Sequence, residues 1–156
     1  MRQARIGLKI GLVFLLTVLI DQGTKALVER TLQLRESIQV VGPFIKLTYI
    51  HNPKGAFGLP LGGNLVFVLF SVLAVIFILF YLWRIPKEKV WSKGALSLIL
   101  GGAVGNLIDR FRFGEVIDFI DMGIGTTRWP VFNVADIGVT VGVALLFFAL
   151  FLKKES

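Results

Sequence analysis

From Asn64 to Trp83 the chain reads NLVFVLFSVLAVIFILFYLW, 20 residues without a charge, and a helix of that length crosses the ~30 Å hydrocarbon layer of a bilayer. No charged residue lies anywhere between Lys54 and Arg84. In water such a helix would leave its whole circumference seeking cover; in lipid every face is satisfied. Three further apolar runs accompany it. They predict an all-α membrane protein in which one membrane domain, residues 1–156, carries four transmembrane helices at about 7–28, 64–83, 94–109 and 137–152. A small extracytoplasmic β-containing lobe is expected over about 29–63. The composition agrees, with 55% hydrophobic residues, 14 Phe and a mean hydropathy of +0.79. The first run follows Arg2, Arg5 and Lys9, as a cleaved leader would, but Asp21, Lys25 and the missing small-x-small pattern make it a retained span.

A net charge of +7 raises the question of nucleic acid, and the placement of the charge answers it. With four spans, residues 1–9, 84–93 and 153–156 share one side and hold nine Lys/Arg against two acids. Residues 21–63 and 109–136 share the other side, where eight Lys/Arg meet eight acids. Basic loops face the cytoplasm, so both termini are expected inside and the acidic segments outside. The basic excess reflects topology and anionic lipid, and no nucleic-acid partner is needed.

Outside, Ile45, Leu47 and Tyr49 alternate with Lys46 and Thr48 after a Gly42-Pro43 turn, a strand pattern. The segment 109–136 holds five of the ten acids, namely Asp109, Glu115, Asp118, Asp121 and Asp136. Span length makes these important. The uncharged parts of spans three and four, 94–108 and 137–152, are 15 and 16 residues, or about 23 Å, short of the bilayer core. Asn106, Asp109 and Arg110, Asn133 and Asp136, and also Asp21 and Lys25, are therefore expected within the outer leaflet, where ionisable groups must pair or line a cavity. They are expected to converge.

The chain has no Cys and one His, so thiolate metal sites and cysteine nucleophiles are excluded. Paired carboxylates can do hydrolytic chemistry without them. Two facing carboxyls share a proton, the ionised one takes a proton from water, and the protonated one polarises the scissile carbonyl. Spacing alone leaves the pair open. Asp118 and Asp121, three apart, would share a helix face; Asp109 beside Arg110 reads as an ion pair; Asp136 could cap the fourth helix. His51 is expected to be a hydrogen-bonded surface residue and Glu115 a solvated or Arg-paired acid.

Four motifs carry a resemblance: DQGTK at Asp21 to Lys25, GGAVGNLIDR at Gly101 to Arg110, VIDFI at Val116 to Ile120 and FNVAD at Phe132 to Asp136. Each sits at an outer helix end, and in this order the chain resembles the lipoprotein signal peptidase (signal peptidase II) family over essentially its full length. The resemblance implies an aspartic endopeptidase of the bacterial inner membrane with Asp118 and Asp136 as its catalytic residues. It also implies that Asn52, Asn106, Arg110 and Asn133 shape the substrate site, with Asp21, Lys25 and Asp109 in support. The implied substrate is a diacylglyceryl-modified prolipoprotein, cut on the amino side of its lipidated Cys. No cofactor, no metal and no obligate protein partner is implied. The chain departs from the family at Asn52-Pro53-Lys54-Gly55-Ala56-Phe57, where Lys54 replaces a common Gly and puts that loop's detailed role in question. A proton-coupled transporter, the main rival, would carry polar groups through the full depth of a span. Here they gather at one end. A second rival, an assembly factor, would use its carboxylates only to pair with Arg110, Arg112 and Arg128.

Overall fold

A computed structural model describes residues 2–53, 63–86 and 88–151. Lys54 to Phe57, and the end of the expected fourth span at Leu152 with the tail beyond it, lie outside the described residues. Helix α1 runs Arg2–Thr31, strands β1 and β2 run Ser37–Val41 and Ile45–Asn52, α2 runs Asn64–Arg84, and α3 runs Val90–Phe113. Strands β3 (Val116–Ile124) and β4 (Thr127–Arg128) then lead to α4, Val134–Phe151. The protein is a helical membrane protein with a small antiparallel sheet.

Local chemistry sets the boundaries. Helix α2 stops where Ile85 precedes Pro86 and turns extended, since the proline ring disfavours helical backbone in the residue before it. Helix α3 ends on Gly114, whose left-handed φ of 76° lets its N–H return to the Arg110 carbonyl. Helix α4 starts with a reciprocal cap: Asn133 Oδ1 accepts the Asp136 N–H at 2.9 Å and Asp136 Oδ2 accepts the Asn133 N–H at 3.3 Å.

Among the described residues three helices are long and apolar enough to cross a membrane, namely α1 over Gly7–Thr31, α2 and α4. Helix α3 has the length, 24 residues or about 36 Å, but is less apolar. Its packing explains why. It is the central helix, in contact with α1, α2 and α4, and it buries Ser92, Ser97, Gly101, Gly102, Gly105 and Asp109. A helix covered by protein has little lipid to face and can carry small and polar residues. The glycines set the approach: a Cβ on Gly102 would strike the Ala135 carbonyl oxygen of α4, and one on Gly101 would lie 2.7 Å from Thr17 Cβ of α1.

Burial is inverted relative to a water-soluble protein. Phe70, Phe77 and Leu65 are exposed, whereas Asp21, Lys25, Asp109, Asp118 and Asn133 are at most 2% exposed. That is the pattern expected when lipid is the solvent.

The sheet has the order β1-β2-β3-β4, so half of it comes from the segment after α3 instead of from 29–63. Asp118 and Asp121 therefore lie on a strand, where residues three apart face opposite sides, and the shared helix face expected from their spacing does not exist. The β-branched content of VIDFIDMGI suits a strand. A polar ladder crosses the sheet from Ser37 through Thr48 to Asp121 and Arg128, with links of 2.8, 2.9 and 2.8 Å. Val28 of α1 and Leu32, just past its end, pack with Tyr49, Ile117 and Phe119, seating the sheet on the helices.

Candidate active site

Five elements deliver polar side chains to one place. Asp21 and Lys25, four apart, share a face of α1, and Asn106 and Asp109, three apart, share a face of α3. Asn52 ends β2, Asp118 lies on β3, and Asn133 and Asp136 open α4. The register of β2 against β3 opposes Ile50 to Asp118 and Asn52 to Val116, which brings the Asn52 amide within reach of the carboxylate. On its other side β3 is held by Phe132, whose carbonyl accepts the N–H groups of Phe119 and Ile120 at 3.0 and 2.8 Å. FNVAD is thus sewn alongside VIDFI.

Every oxygen of Asp118 and Asp136 accepts a hydrogen bond. Asp118 Oδ1 accepts from Asn133 Nδ2 at 2.6 Å and Oδ2 from Asn52 Nδ2 at 2.8 Å. Asp136 Oδ1 accepts from Asn106 Nδ2 at 2.9 Å, and its Oδ2 accepts the Asn133 N–H of the helix cap. Burial pushes the Asp118 carboxyl up to about 7; the negative charge of Asp136 adds to this, and the hydrogen bonds from Asn52 and Asn133 oppose it.

Behind the carboxylates lies a buried ionic cluster. Lys25 Nζ donates to Asp21 Oδ2 at 2.8 Å, pairs with Asp109 Oδ2 at 2.7 Å and donates to Asn106 Oδ1 at 3.0 Å. These three bonds use all its donors. Asp21 Oδ1 accepts the Ala135 N–H in the first turn of α4 at 2.8 Å, and Asp109 Oδ2 accepts the Ile117 N–H at 3.2 Å. Gln22 Nε2 lies 3.1 Å from Asp21 Oδ2, 3.0 Å from Asp109 Oδ1 and 3.1 Å from the Gly105 carbonyl. The cluster ties α1, α3, β3 and α4 together.

The remaining candidates make no hydrogen bond to the carboxylate of Asp118 or of Asp136. The expected Asp109–Arg110 ion pair does not form, because Lys25 takes Asp109 and Arg110 lies 5.7 Å from the Phe67 ring centre with a 3.4 Å bond to the Asn106 carbonyl. Asp121 is held by Arg128 and Thr48, apart from this group. His51 bonds the Tyr49 hydroxyl at 2.8 Å, and Glu115 lies 3.5 Å from it. The reading of Asp136 as a helix cap is correct for one of its oxygens. Sequence reasoning missed Gln22, whose place beside Asp21 within DQGTK was its only signal. An apolar cavity of about 480 Å³, lined by Phe44, Met122, Ile124, Trp129 and Phe132, holds neither Asp118 nor Asp136. Among the described residues no group of three or more His, Asp or Glu is arranged to hold a metal ion.

The family model for signal peptidase (SPase) II matches residues 13–152. The lipoprotein signal peptidase of Moorella thermoacetica is 45% identical over 141 residues, 90% of this chain and 91% of that one. That of Desulforapulum autotrophicum is 44% identical over 152 residues, 94% of this chain and 93% of that one. Two solved structures of a bacterial membrane enzyme, obtained by the in meso method, superpose with TM-scores of 0.86 and 0.84 at 31% and 32% identity. They cover 95% of this chain, and the match takes in 93% and 94% of theirs. Helices suited to a membrane, together with these likenesses, define a membrane-bound protease. The chain belongs to the signal peptidase II family.

Proposed function

We propose that the protein removes signal peptides from diacylglyceryl-modified prolipoproteins, and that Asp118 and Asp136 are its catalytic residues. The single observation that carries this reading is the shared asparagine frame, in which Asn133 donates to both carboxylates and Asn106 donates to Asp136. The lipoprotein substrate named for the relatives supports it.

Asp136 occupies the first turn of α4, at the positive end of the helix dipole. Asp118, raised to about 7, carries the shared proton. Asp136 takes a proton from a water, the water oxygen bonds to the scissile carbonyl carbon, and Asp118 gives its proton to the carbonyl oxygen. Collapse of the resulting gem-diol breaks the C–N bond: Asp136 protonates the departing amine of the lipidated Cys, and Asp118 recovers its proton. Arg110 and Asn52 line the path of the peptide. The reaction uses no metal, cofactor or protein partner.

The reading includes a topology. All four helices cross the bacterial inner membrane in one membrane domain, α3 doing so behind protein cover, and both termini are cytoplasmic. The sheet and the carboxylates face the extracytoplasmic side, where a substrate with a membrane-spanning signal segment and two acyl chains presents its cleavage point from the lipid. A reporter inserted near Gly42 is expected outside and one at Lys154 inside. Cleavage of a lipidated prolipoprotein by the purified protein, with the unlipidated precursor left intact, tests the substrate; equal cleavage of both contradicts it.

A further inference from the structure

Which end of the Asn106 side chain faces Asp136 decides whether it donates to that carboxylate or repels it. The neighbouring Asn133 is fixed by backbone, since its Oδ1 accepts the Asp136 N–H. Asn106 has a different anchor. Its Oδ1 lies 3.0 Å from Lys25 Nζ and 3.1 Å from Asn133 Nδ2, and both of these groups only donate. Turned round, Asn106 would set its NH2 against two donors and its oxygen against Asp136 Oδ1.

The ammonium is the stronger of the two anchors. Asn133 Nδ2 has two hydrogens and divides them among Asn106 Oδ1, the Ile117 carbonyl and Asp118 Oδ1. Lys25 gives Asn106 a charge-assisted bond of its own. Lys25 is itself immobilised, 2% exposed and clamped between Asp21 and Asp109.

We propose that Lys25 is a positioning residue for hydrolysis: its buried ammonium locks the Asn106 amide with Nδ2 toward Asp136, and so fixes the carboxylate that receives the proton of water. This rests on the reading of Asp118 and Asp136 as the catalytic pair. Lys25 bonds Asp21, Asp109 and Asn106 and neither carboxylate of that pair, so it acts through one amide.

The test removes the ammonium together with one of its counter-charges. In Lys25→Met/Asp109→Asn, Asp21 keeps its bonds from Ala135 and Gln22, so the cluster retains its net charge. With a lipidated prolipoprotein in detergent, kcat is expected to fall at least about tenfold while KM stays within about twofold, because the carboxylate that Asn106 positions acts in the chemical step and not in binding. In an Asn106→Ala background the same pair of changes is expected to lower kcat by less than about twofold, because the amide it acts through is gone. An unchanged kcat, or an undiminished loss in the Asn106→Ala background, overturns the proposal.

If the double variant does not fold, Asn106→Asp decides. It keeps an oxygen for Lys25 and turns the donor toward Asp136 into an acceptor, so its kcat should fall below that of Asn106→Ala; a kcat equal or higher overturns the proposal. Cleavage surviving in Asp118→Asn or Asp136→Asn overturns the catalytic pair itself, whereas cleavage lost there with full kcat in the Lys25 variant overturns only the positioning role.

Discussion

Asn133 donates its side-chain amide to Asp118 at 2.6 Å while exchanging cap hydrogen bonds with Asp136 through its backbone N–H and its Oδ1. One residue thereby sets the start of α4 and holds both carboxylates. Asn133→Ala is expected to lower kcat by roughly 10–100-fold through the lost donor and to cost about 1 kcal/mol through the lost cap. Kinetics and thermal unfolding of the purified variant check both. A fall in stability alone would reduce Asn133 to a cap.

Asp121 offers the control. Its partners, Arg128 and Thr48, belong to the polar ladder across the sheet. Asp121→Asn should cost no more than about 1 kcal/mol and leave kcat within about threefold. Loss of cleavage comparable to that of Asp118→Asn would move the active pair to β3 alone.

The raised Asp118 carboxyl predicts a pH dependence of stability. Between its ordinary value of 3.8 and about 7 the folded protein holds a proton that the unfolded chain releases, so this contribution to stability falls as pH rises through that window. The shift sets a ceiling of about 4 kcal/mol. Measured from roughly pH 4 to pH 8, the melting temperature of the wild type is expected to decline relative to Asp118→Asn. A constant difference contradicts the raised value. If Asp118 is the proton donor proposed above, cleavage should also decline above about pH 7, as its carboxyl loses that proton.

Helix approach gives a test of the scaffold. A methyl at Gly102 meets the Ala135 carbonyl and would lie 2.8 Å from Val139 Cγ2, whereas one at Gly94 meets nothing within 4 Å. Gly102→Ala should destabilise by about 1–3 kcal/mol and disturb cleavage by shifting the start of α4. Gly94→Ala should be neutral or stabilising by up to about 1 kcal/mol. Equal effects would show that α3 and α4 are not packed this closely.

The helices were legible because lipid imposes long uncharged runs, and the convergence of Asp21, Lys25, Asn106, Asp109, Asn133 and Asp136 followed from the cost of charge at that depth. What spacing could not supply was partnership. Asp109 is adjacent to Arg110 in sequence yet pairs with Lys25, since a helix turns successive residues away from each other. Strand β3 was missed because VIDFIDMGI lacks clean alternation; Ile117 and Phe119 pack into the apolar cluster while Asp118 between them is buried in the polar group, so both faces are covered and burial does not follow a period of two. Motifs alone single out Asp118 and Asp136, and the asparagine frame around them exists only once β2, β3, α3 and α4 are brought together.

The most direct measurement is cleavage of a lipidated prolipoprotein by purified Asp118→Asn and Asp136→Asn, each checked for folding by its melting transition. Both variants are expected to fold and to lose at least about 10³-fold in kcat. A folded variant of either kind that cleaves at the wild-type rate would contradict the catalytic pair.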